Sequence, residues 1–232
     1  MMNRLKPILY LHQVMMRPAI AIFWRIVLSI QVLLLVIMVV FSSSDTPLSM
    51  RLGGSGAIYV FMFITGILTF KDTFPLAVSM GATRKLYFLN TMFFFFILAL
   101  FQTLMMTLLT AVEMFMDPLL KHVHLYHYRL FGIDNLLEMF AFNLFFTLLL
   151  TLFANMLASW AYKIGRSFWF GFGAFALLSL TLSIIFEGFI PIYQWLASFQ
   201  SYWSTIPYML VCIILFIGLS WLPVRDVELR KP

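Results

Sequence analysis

Residues 86–112 read LYFLNTMFFFFILALFQTLMMTLLTAV, a run of 27 positions without a single Asp, Glu, Lys or Arg. A helix of about 20 apolar residues is enough to cross the roughly 30 Å of hydrocarbon in a bilayer. The run exceeds this length. It therefore predicts a helix that spans a membrane.

Similar apolar runs recur along the chain and bring the number of predicted spans to six. The other five lie at 18–41, 53–70, 136–161, 167–186 and 206–222. Of the 232 residues, 63% are hydrophobic and only 10% are charged, against about a quarter charged in soluble domains. This composition excludes a soluble fold, because it leaves too little polar surface to face water. We expect an all-α polytopic membrane protein, with residues 1–232 forming one transmembrane domain.

The two sides of the predicted spans differ in net charge. One side comprises the N-terminus, residues 71–86 and 162–166, and the C-terminus, and it holds 12 of the 15 Lys and Arg residues and 3 of the 9 acids. The other side holds 3 basic and 6 acidic residues. Because basic loops remain in the cytoplasm, this pattern predicts a plasma-membrane protein with both termini cytoplasmic. The net charge of +6 thus reflects topology and does not indicate nucleic-acid binding.

Residues 4–17, before the first predicted span, have a helical pattern of their own. Apolar side chains recur at i, i+3 and i+4, with polar ones opposite. This pattern predicts an amphipathic helix that lies on the membrane surface. The alternative is an extension of the first span towards the cytoplasm, which Pro18 disfavours because proline tends to break or start a helix.

The segment between the second and third predicted spans, residues 71–85, reads KDTFPLAVSMGATRK. Asp72 or the following threonine can cap a helix, and Pro75 fits the first turn of such a helix. Gly81 is a natural helix terminator, after which Thr83 can cap the third span. The segment therefore predicts a short helix that lies across the cytoplasmic face. Such a helix either docks a partner or is an ordinary amphipathic loop helix.

Three acids lie at the predicted outer ends of spans, namely Glu113, Glu138 and Glu187. Together they predict an acidic outer vestibule on a substrate path, which would attract or release a cationic substrate. The alternative is that acids are simply tolerated at this side of the membrane, where water is close.

Four amide side chains lie deeper within the predicted spans: Gln31, Gln102, Asn143 and Asn155. Each needs a hydrogen-bond partner in lipid. They either hold helices together or, in the case of Gln102 and Asn143, line the substrate path. Small residues within 167–176 also predict close packing of the fifth span, within the chain or against a second copy.

Motifs for nucleotide binding and for hydrolytic chemistry do not occur in the sequence. There is no GxxxxGK[ST], HExxH or GxSxG pattern, and we expect neither enzymatic activity nor a cofactor in this chain. His122, His124 and His127 could bind Zn²⁺, but no cysteine is near them and a solvated loop is the alternative that we favour. Residues 187–203 are rich in aromatics and predict an interfacial segment or a re-entrant hairpin.

The layout of the chain resembles the ABC type-2 permeases, which are membrane subunits of ABC transporters. Residues 74–85, FPLAVSMGATRK, are similar to the FP-x-A-x-S-x-G-x-[ST]-R-[RK] segment of many small permeases from Gram-positive bacteria. In that family the segment is a coupling helix that docks into a cleft of the ATPase subunit. The resemblance implies eight coupling residues here: Phe74, Pro75, Leu76, Val78, Met80, Gly81, Arg84 and Lys85.

The same resemblance implies a function, which is that of the permease subunit of an ATP-driven exporter. Its partners would be a second permease copy or a paralogue, together with cytoplasmic ABC ATPase subunits that bind ATP and Mg²⁺. The implied cargo is an amphipathic or antimicrobial peptide or another hydrophobic compound. An ion-coupled secondary transporter or channel is the first alternative, and a scaffold or sensor subunit that transports nothing is the second.

Overall fold

The structure, a computed structural model, describes residues 6–41, 54–120, 135–165, 167–173 and 202–226. Over these ranges the chain is helical apart from short turns and caps, with no strand. Residues 167–173 are helical. The five long helices are α1 (Lys6–Phe41), α2 (Gly54–Ser79), α3 (Arg84–Leu120), α4 (Leu136–Ile164) and α5 (Tyr202–Asp226).

Each of the five long helices contains a segment that is long and apolar enough to cross a membrane. Large apolar side chains cover their outward faces; Ile214 of α5, for example, is 68% exposed. Outward apolar side chains are expected where the surrounding solvent is lipid. The predicted all-helical fold is therefore confirmed. The sixth span (167–186) remains a prediction, since the structure describes it only as far as residue 173, and the hairpin at 187–203 lies almost wholly outside the described residues.

Helix α4 is the centre of the bundle. It packs most extensively on α2 and α5 and also contacts α3, whereas α1 packs on α2 and α3. Gly66 lets α2 approach α4 closely. A Cβ atom at this position would lie 2.4 Å from the Thr151 carbonyl oxygen and 2.8 Å from Ala154 Cβ. Only a hydrogen atom fits there, so the two helix axes are as close as small residues allow.

Each of the five long helices has one end at the same end of the bundle, which we call the basic end. Arg84, which begins α3, donates a hydrogen bond from Nη1 to the carbonyl of Arg225 near the end of α5. Lys163 Nζ at the end of α4 lies 3.7 Å from Asp226 Oδ2. Helix α1 begins near the same end, because its His12 contacts Tyr87. The two termini of the described chain therefore share one end of the bundle, and its cytoplasmic location remains a prediction.

The turn between α2 and α3 has the chemistry that the sequence predicts. Gly81 adopts a left-handed φ of 81°, and its N–H donates to the Val78 carbonyl at 2.9 Å. The next N–H, that of Ala82, donates to the Ala77 carbonyl at 3.0 Å, which completes a Schellman motif. Thr83 Oγ1 then accepts from Leu86 N at 3.3 Å and caps α3. Gly81 and Thr83 are thus confirmed as terminator and cap.

Two predicted helix boundaries are wrong, and a proline lies at each of them. Helix α1 runs without interruption through Pro18, so residues 6–17 extend the first span rather than form a separate surface helix. Helix α2 likewise runs through Pro75 to Ser79, so no separate coupling helix exists. In both places burial of side chains on either side of the proline offsets the hydrogen bond that proline cannot make.

The predicted close packing of the fifth span is not found in its described part. Added Cβ atoms at Gly171 and Gly173 would meet no atom within 4 Å. A contact with a second copy remains the other alternative for this stretch. Within the described chain, the close approach of helices occurs at Gly66 instead.

We predict that Gly66→Ala destabilises the protein by about 1–3 kcal/mol, because the added methyl forces α2 away from α4. Gly56→Ala is the matched control on the same helix, since its Cβ would meet nothing within 4 Å and alanine favours a helix. Thermal unfolding in detergent can be followed with a thiol-reactive dye, because the single cysteine, Cys212, is partly buried on α5. Equal melting temperatures for the two variants would contradict the prediction.

Candidate functional site

Phe74, the first residue of the coupling motif, is part of the hydrophobic core. Its side chain is 1% exposed and stacks on Phe70 with a centroid distance of 4.9 Å. The rings of Tyr87 and Tyr162 lie 5.2 and 5.7 Å away, both edge-on. Phe74 therefore offers no surface to a partner, and its coupling role remains a prediction. It joins α2 to α3 and α4 instead.

Only some of the other predicted coupling residues reach the surface of the basic end. Leu76 lies on the last turn of α2 and is 42% exposed, and Met80, directly after the end of α2, is 59% exposed. Lys85 on α3 is exposed as well. We call Leu76, Met80 and Lys85 the basic-end patch. It comprises an apolar pair before the turn and a cation after it, a composition suited to a protein partner with an acidic rim.

The remaining predicted coupling residues are partly buried behind the patch or form the turn that carries it. Val78 packs against the cluster around Phe74, and Pro75 and Arg84 are half-buried. Gly81 has no side chain to offer and supplies the left-handed turn. The motif thus divides into a surface pair with a cation, and a larger set that fixes the geometry of the turn.

A network of buried hydrogen bonds behind the patch ties three helices together. Tyr87 Oη lies 3.0 Å from Thr73 Oγ1, and the Thr73 hydroxyl donates to the Thr69 carbonyl at 2.5 Å. On α3, the Thr91 hydroxyl donates to the Tyr87 carbonyl at 2.9 Å and lies 3.2 Å from His12 Nε2. The His12 ring also stacks on Phe94 at 5.1 Å. His12 of α1 is thereby fixed to α3, and Tyr87 fixes α3 to α2.

Sequence analysis did not identify Tyr87 or Thr91 as members of a site. A usable signal was present, because both lie one and two turns after the cap at Thr83, at the i and i+4 positions of a helix. Polar side chains at this spacing just inside a span indicate a buried hydrogen-bonding face. His12 lies on the same face of its helix as Met16 and is completely buried.

A second buried polar feature extends along α4, and we call it the interior polar stripe. It consists of five side chains spaced every four residues and all buried: Asn143, Thr147, Thr151, Asn155 and Ser159. Asn143 Oδ1 accepts a hydrogen bond from Tyr59 Oη of α2 at 2.7 Å. Thr151 and Ser159 donate to carbonyls of their own helix, whereas Thr147 Oγ1 and Asn155 Oδ1 are buried without a partner among the described residues.

Gln102 of α3 is the most isolated polar side chain of the described interior. It is fully buried, and neither its Nε2 nor its Oε1 has a hydrogen-bond partner. Ile58 of α2 packs with Met106 of α3, and Tyr59, the residue after Ile58, bonds Asn143 of α4. Met106 and Asn143 are therefore at about the same level of the bundle. Gln102 precedes Met106 by one helical turn, so it lies about one turn from the level of Asn143. The two predicted path residues are thus both inside the bundle at neighbouring depths, and Asn143 is the one with a defined partner.

The predicted acidic vestibule is described only in part. Glu138 lies in the first turn of α4, at the end of the bundle opposite the basic end, and is half-buried with an interaction of its own. Glu113 belongs to α3, but its side chain is outside the described part of the structure, and Glu187 lies outside entirely. His122, His124 and His127 also fall outside the described residues. The vestibule and the zinc-loop alternative remain predictions.

We predict that Thr91→Val destabilises the protein by about 1–3 kcal/mol, because it leaves the buried His12 Nε2 without its partner. Thr107→Val is the matched control on the same helix, since the Thr107 hydroxyl bonds only to its own helix, at the Thr103 carbonyl. We expect this control to change stability by less than about 0.5 kcal/mol. Dye-based melting of both variants tests the network, and similar melting temperatures would contradict it.

Comparisons of the chain with protein-family models, curated proteins and solved structures give no match. The family resemblance therefore depends on the residues of the 74–85 motif and on the layout of the spans. Three structural features do not depend on any relative: five long apolar helices, a turn with an exposed patch at the basic end, and a polar stripe buried along α4.

Proposed function

We propose that this chain is the membrane-spanning permease subunit of an ATP-driven exporter, with ATP bound and hydrolysed together with Mg²⁺ by a separate subunit. The observation that carries the proposal is the basic-end patch. Leu76, Met80 and Lys85 are exposed on the two sides of the turn that connects two apolar helices. An ATPase that docks on this turn would act on both helices at once.

In the proposed complex, coupling would differ in geometry from the separate helix that the family motif implies. The motif is not a separate helix on the membrane surface but the last turns of α2 together with the start of α3. Phe74 contacts Tyr87 of α3 and Tyr162 of α4. A displacement of the patch would therefore be transmitted through packed rings to three helices. In this arrangement α2 itself would transmit the movement of the ATPase to the bundle.

The proposed assembly contains a second copy of this chain or a paralogue, and ATPase subunits on the cytoplasmic side. The basic end would face the cytoplasm of a bacterial cell, in accordance with the charge pattern of the sequence. The proposed cargo is an amphipathic or antimicrobial peptide or another hydrophobic compound. The interior polar stripe and Gln102 supply hydrogen-bonding groups within the bundle, as a path for an amphipathic cargo requires.

The main alternative, ion-coupled transport, requires an ionisable group in the interior that can change its charge. In the described ranges the buried polar side chains are Thr, Ser, Asn, Gln and His12, with no buried Asp, Glu, Lys or Arg. His12 is engaged by Thr91 and packed between Tyr87 and Phe94. This interior supports the permease proposal over the ion-coupled alternative.

We predict that the double variant Leu76→Asp/Met80→Asp lowers recovery of the co-expressed ATPase at least about tenfold, since one tenfold step corresponds to about 1.4 kcal/mol of binding free energy. Two carboxylates would replace the apolar contact and would repel the acidic rim of the partner. The candidates for co-expression are the ABC ATPases encoded in the source genome, beginning with any whose gene adjoins that of this chain. Affinity purification from detergent-solubilised membranes, followed by quantitation of both chains, provides the measurement.

Leu137→Asp is the matched control, because Leu137 is also exposed on a helix end but lies at the opposite end of the bundle. It should leave recovery unchanged. Melting temperatures must stay close to that of the unmodified chain in both variants, since neither alters a buried residue. The proposal fails if the unmodified chain recovers no ATPase, or if the double variant recovers as much as the control. The first outcome would favour a scaffold, sensor or ion-coupled role.

A further inference from the structure

Helices α2, α3 and α4 each contribute a completely buried side chain to one level of the bundle interior. Met106 of α3 lies level with the Tyr59–Asn143 hydrogen bond that joins α2 to α4. One helical turn nearer to the basic end, each of the three helices has a side chain with no exposed surface. These side chains, which we call the central layer, are Met62, Gln102 and Thr147.

The polar atoms of the central layer are not hydrogen-bonded within the described chain. Gln102 Nε2, Gln102 Oε1 and Thr147 Oγ1 all lack a partner among the described residues, as does Oγ1 of Thr103, the residue next to Gln102. A buried polar group without a partner costs free energy, because it has given up hydrogen bonds without replacement. Such groups are rare in folded proteins and require an explanation. At this level the closed arrangement is therefore disfavoured.

The central layer lies nearer to the opposite end of the bundle than to the basic end. Thr147 is 11 residues from the start of its span at Leu136 and 17 residues from its end at Ile164. Gln102 is likewise closer to the opposite end of its own span. The shorter route from the central layer to water therefore leads to the opposite end.

The contacts that close the two routes also differ in strength. Towards the basic end, the rings of Phe70, Phe74 and Tyr87 are almost completely buried and interlock across α2 and α3. Towards the opposite end, the hydrogen bond from half-buried Tyr59 to Asn143 lies one turn away. A single hydrogen bond is more easily broken than a packed aromatic cluster.

We propose that the central layer is a hydration site, which water enters from the opposite end when the Tyr59–Asn143 hydrogen bond breaks. Water would give Gln102 and Thr147 the hydrogen bonds that the closed arrangement withholds. Because α4 packs most extensively on α2 and α5, α3 is the helix that moves aside, while the rings around Phe74 stay closed. The proposal requires only that the chain lies in a membrane, so it does not depend on the proposed transport function.

The test is the reaction of single cysteines, each in a Cys212→Ala background, with a small charged methanethiosulfonate that does not cross membranes. The reagent is added to intact cells or to inverted membrane vesicles. Exposed Leu137→Cys marks the side that faces the opposite end, and exposed Met80→Cys marks the basic end. We expect Thr147→Cys to react from the Leu137→Cys side. Its rate should be at least about tenfold that of Ala77→Cys, which is fully buried in the cluster around Phe74, because local opening exposes only the central layer.

Tyr59→Phe tests the proposed closure, since it removes the hydroxyl that bonds Asn143. It should raise the reaction rate of Thr147→Cys about three- to tenfold, the change in open population that one hydrogen bond supports. Tyr10→Phe is the matched control, because Tyr10 is exposed on α1 near the basic end. This control should leave the rate unchanged.

Three outcomes overturn the proposal: Thr147→Cys reacts no faster than Ala77→Cys, it reacts only from the Met80→Cys side, or Tyr59→Phe changes its rate no more than Tyr10→Phe does. Ala77→Cys combined with Tyr59→Phe separates local opening from unfolding, because unfolding makes this cysteine reactive as well. If that variant unfolds, the comparison of Thr147→Cys with Ala77→Cys in the chain that retains Tyr59 decides the matter.

Discussion

The contact between α2 and α4 at Gly66 determines the spacing of the bundle. In lipid, helices gain little from burying apolar surface against one another, so close packing and hydrogen bonds must hold them together. At Gly66 the absence of a side chain brings α2 against the backbone of α4 at Thr151 and Asn155. This approach turns the interior polar stripe towards protein rather than lipid. The remaining helices are then arranged on the α2–α4 pair, with α5 on α4 and with α1 and α3 alongside.

The elements that depend on local chemistry could be predicted from the sequence. Apolar runs of this length without charge predict long helices, because a helix satisfies all backbone hydrogen bonds in lipid within the one segment. Gly81 and Thr83 could be assigned because each meets a requirement of the turn itself, namely a left-handed φ and a cap acceptor. Neither assignment needs knowledge of a distant contact. The grouping of basic residues at one end could also be predicted, because successive spans place every second loop at the same end of the bundle.

The failures occur where a distant contact outweighs a local rule. Pro75 suggests a helix start, yet α2 continues through it, since Phe70 and Phe74 are held by aromatic rings of α3 and α4. The sequence contains no sign that these rings meet. The polar stripe was missed for another reason, as its threonines are compatible with an apolar run and do not interrupt it. Their spacing of four residues, in register with Asn143 and Asn155, was the available signal.

The burial of Phe74 has a mechanical consequence. Rings from α2, α3 and α4 interlock around Phe74, so these helices respond together to a force on their shared turn. Helix α1 is attached mainly to α3. His12 contacts Thr91, Met16 is buried against Phe94 and Phe95, and Trp24 and Val27 pack with Met106. Through these contacts α1 would follow a movement of α3 that begins at the shared turn.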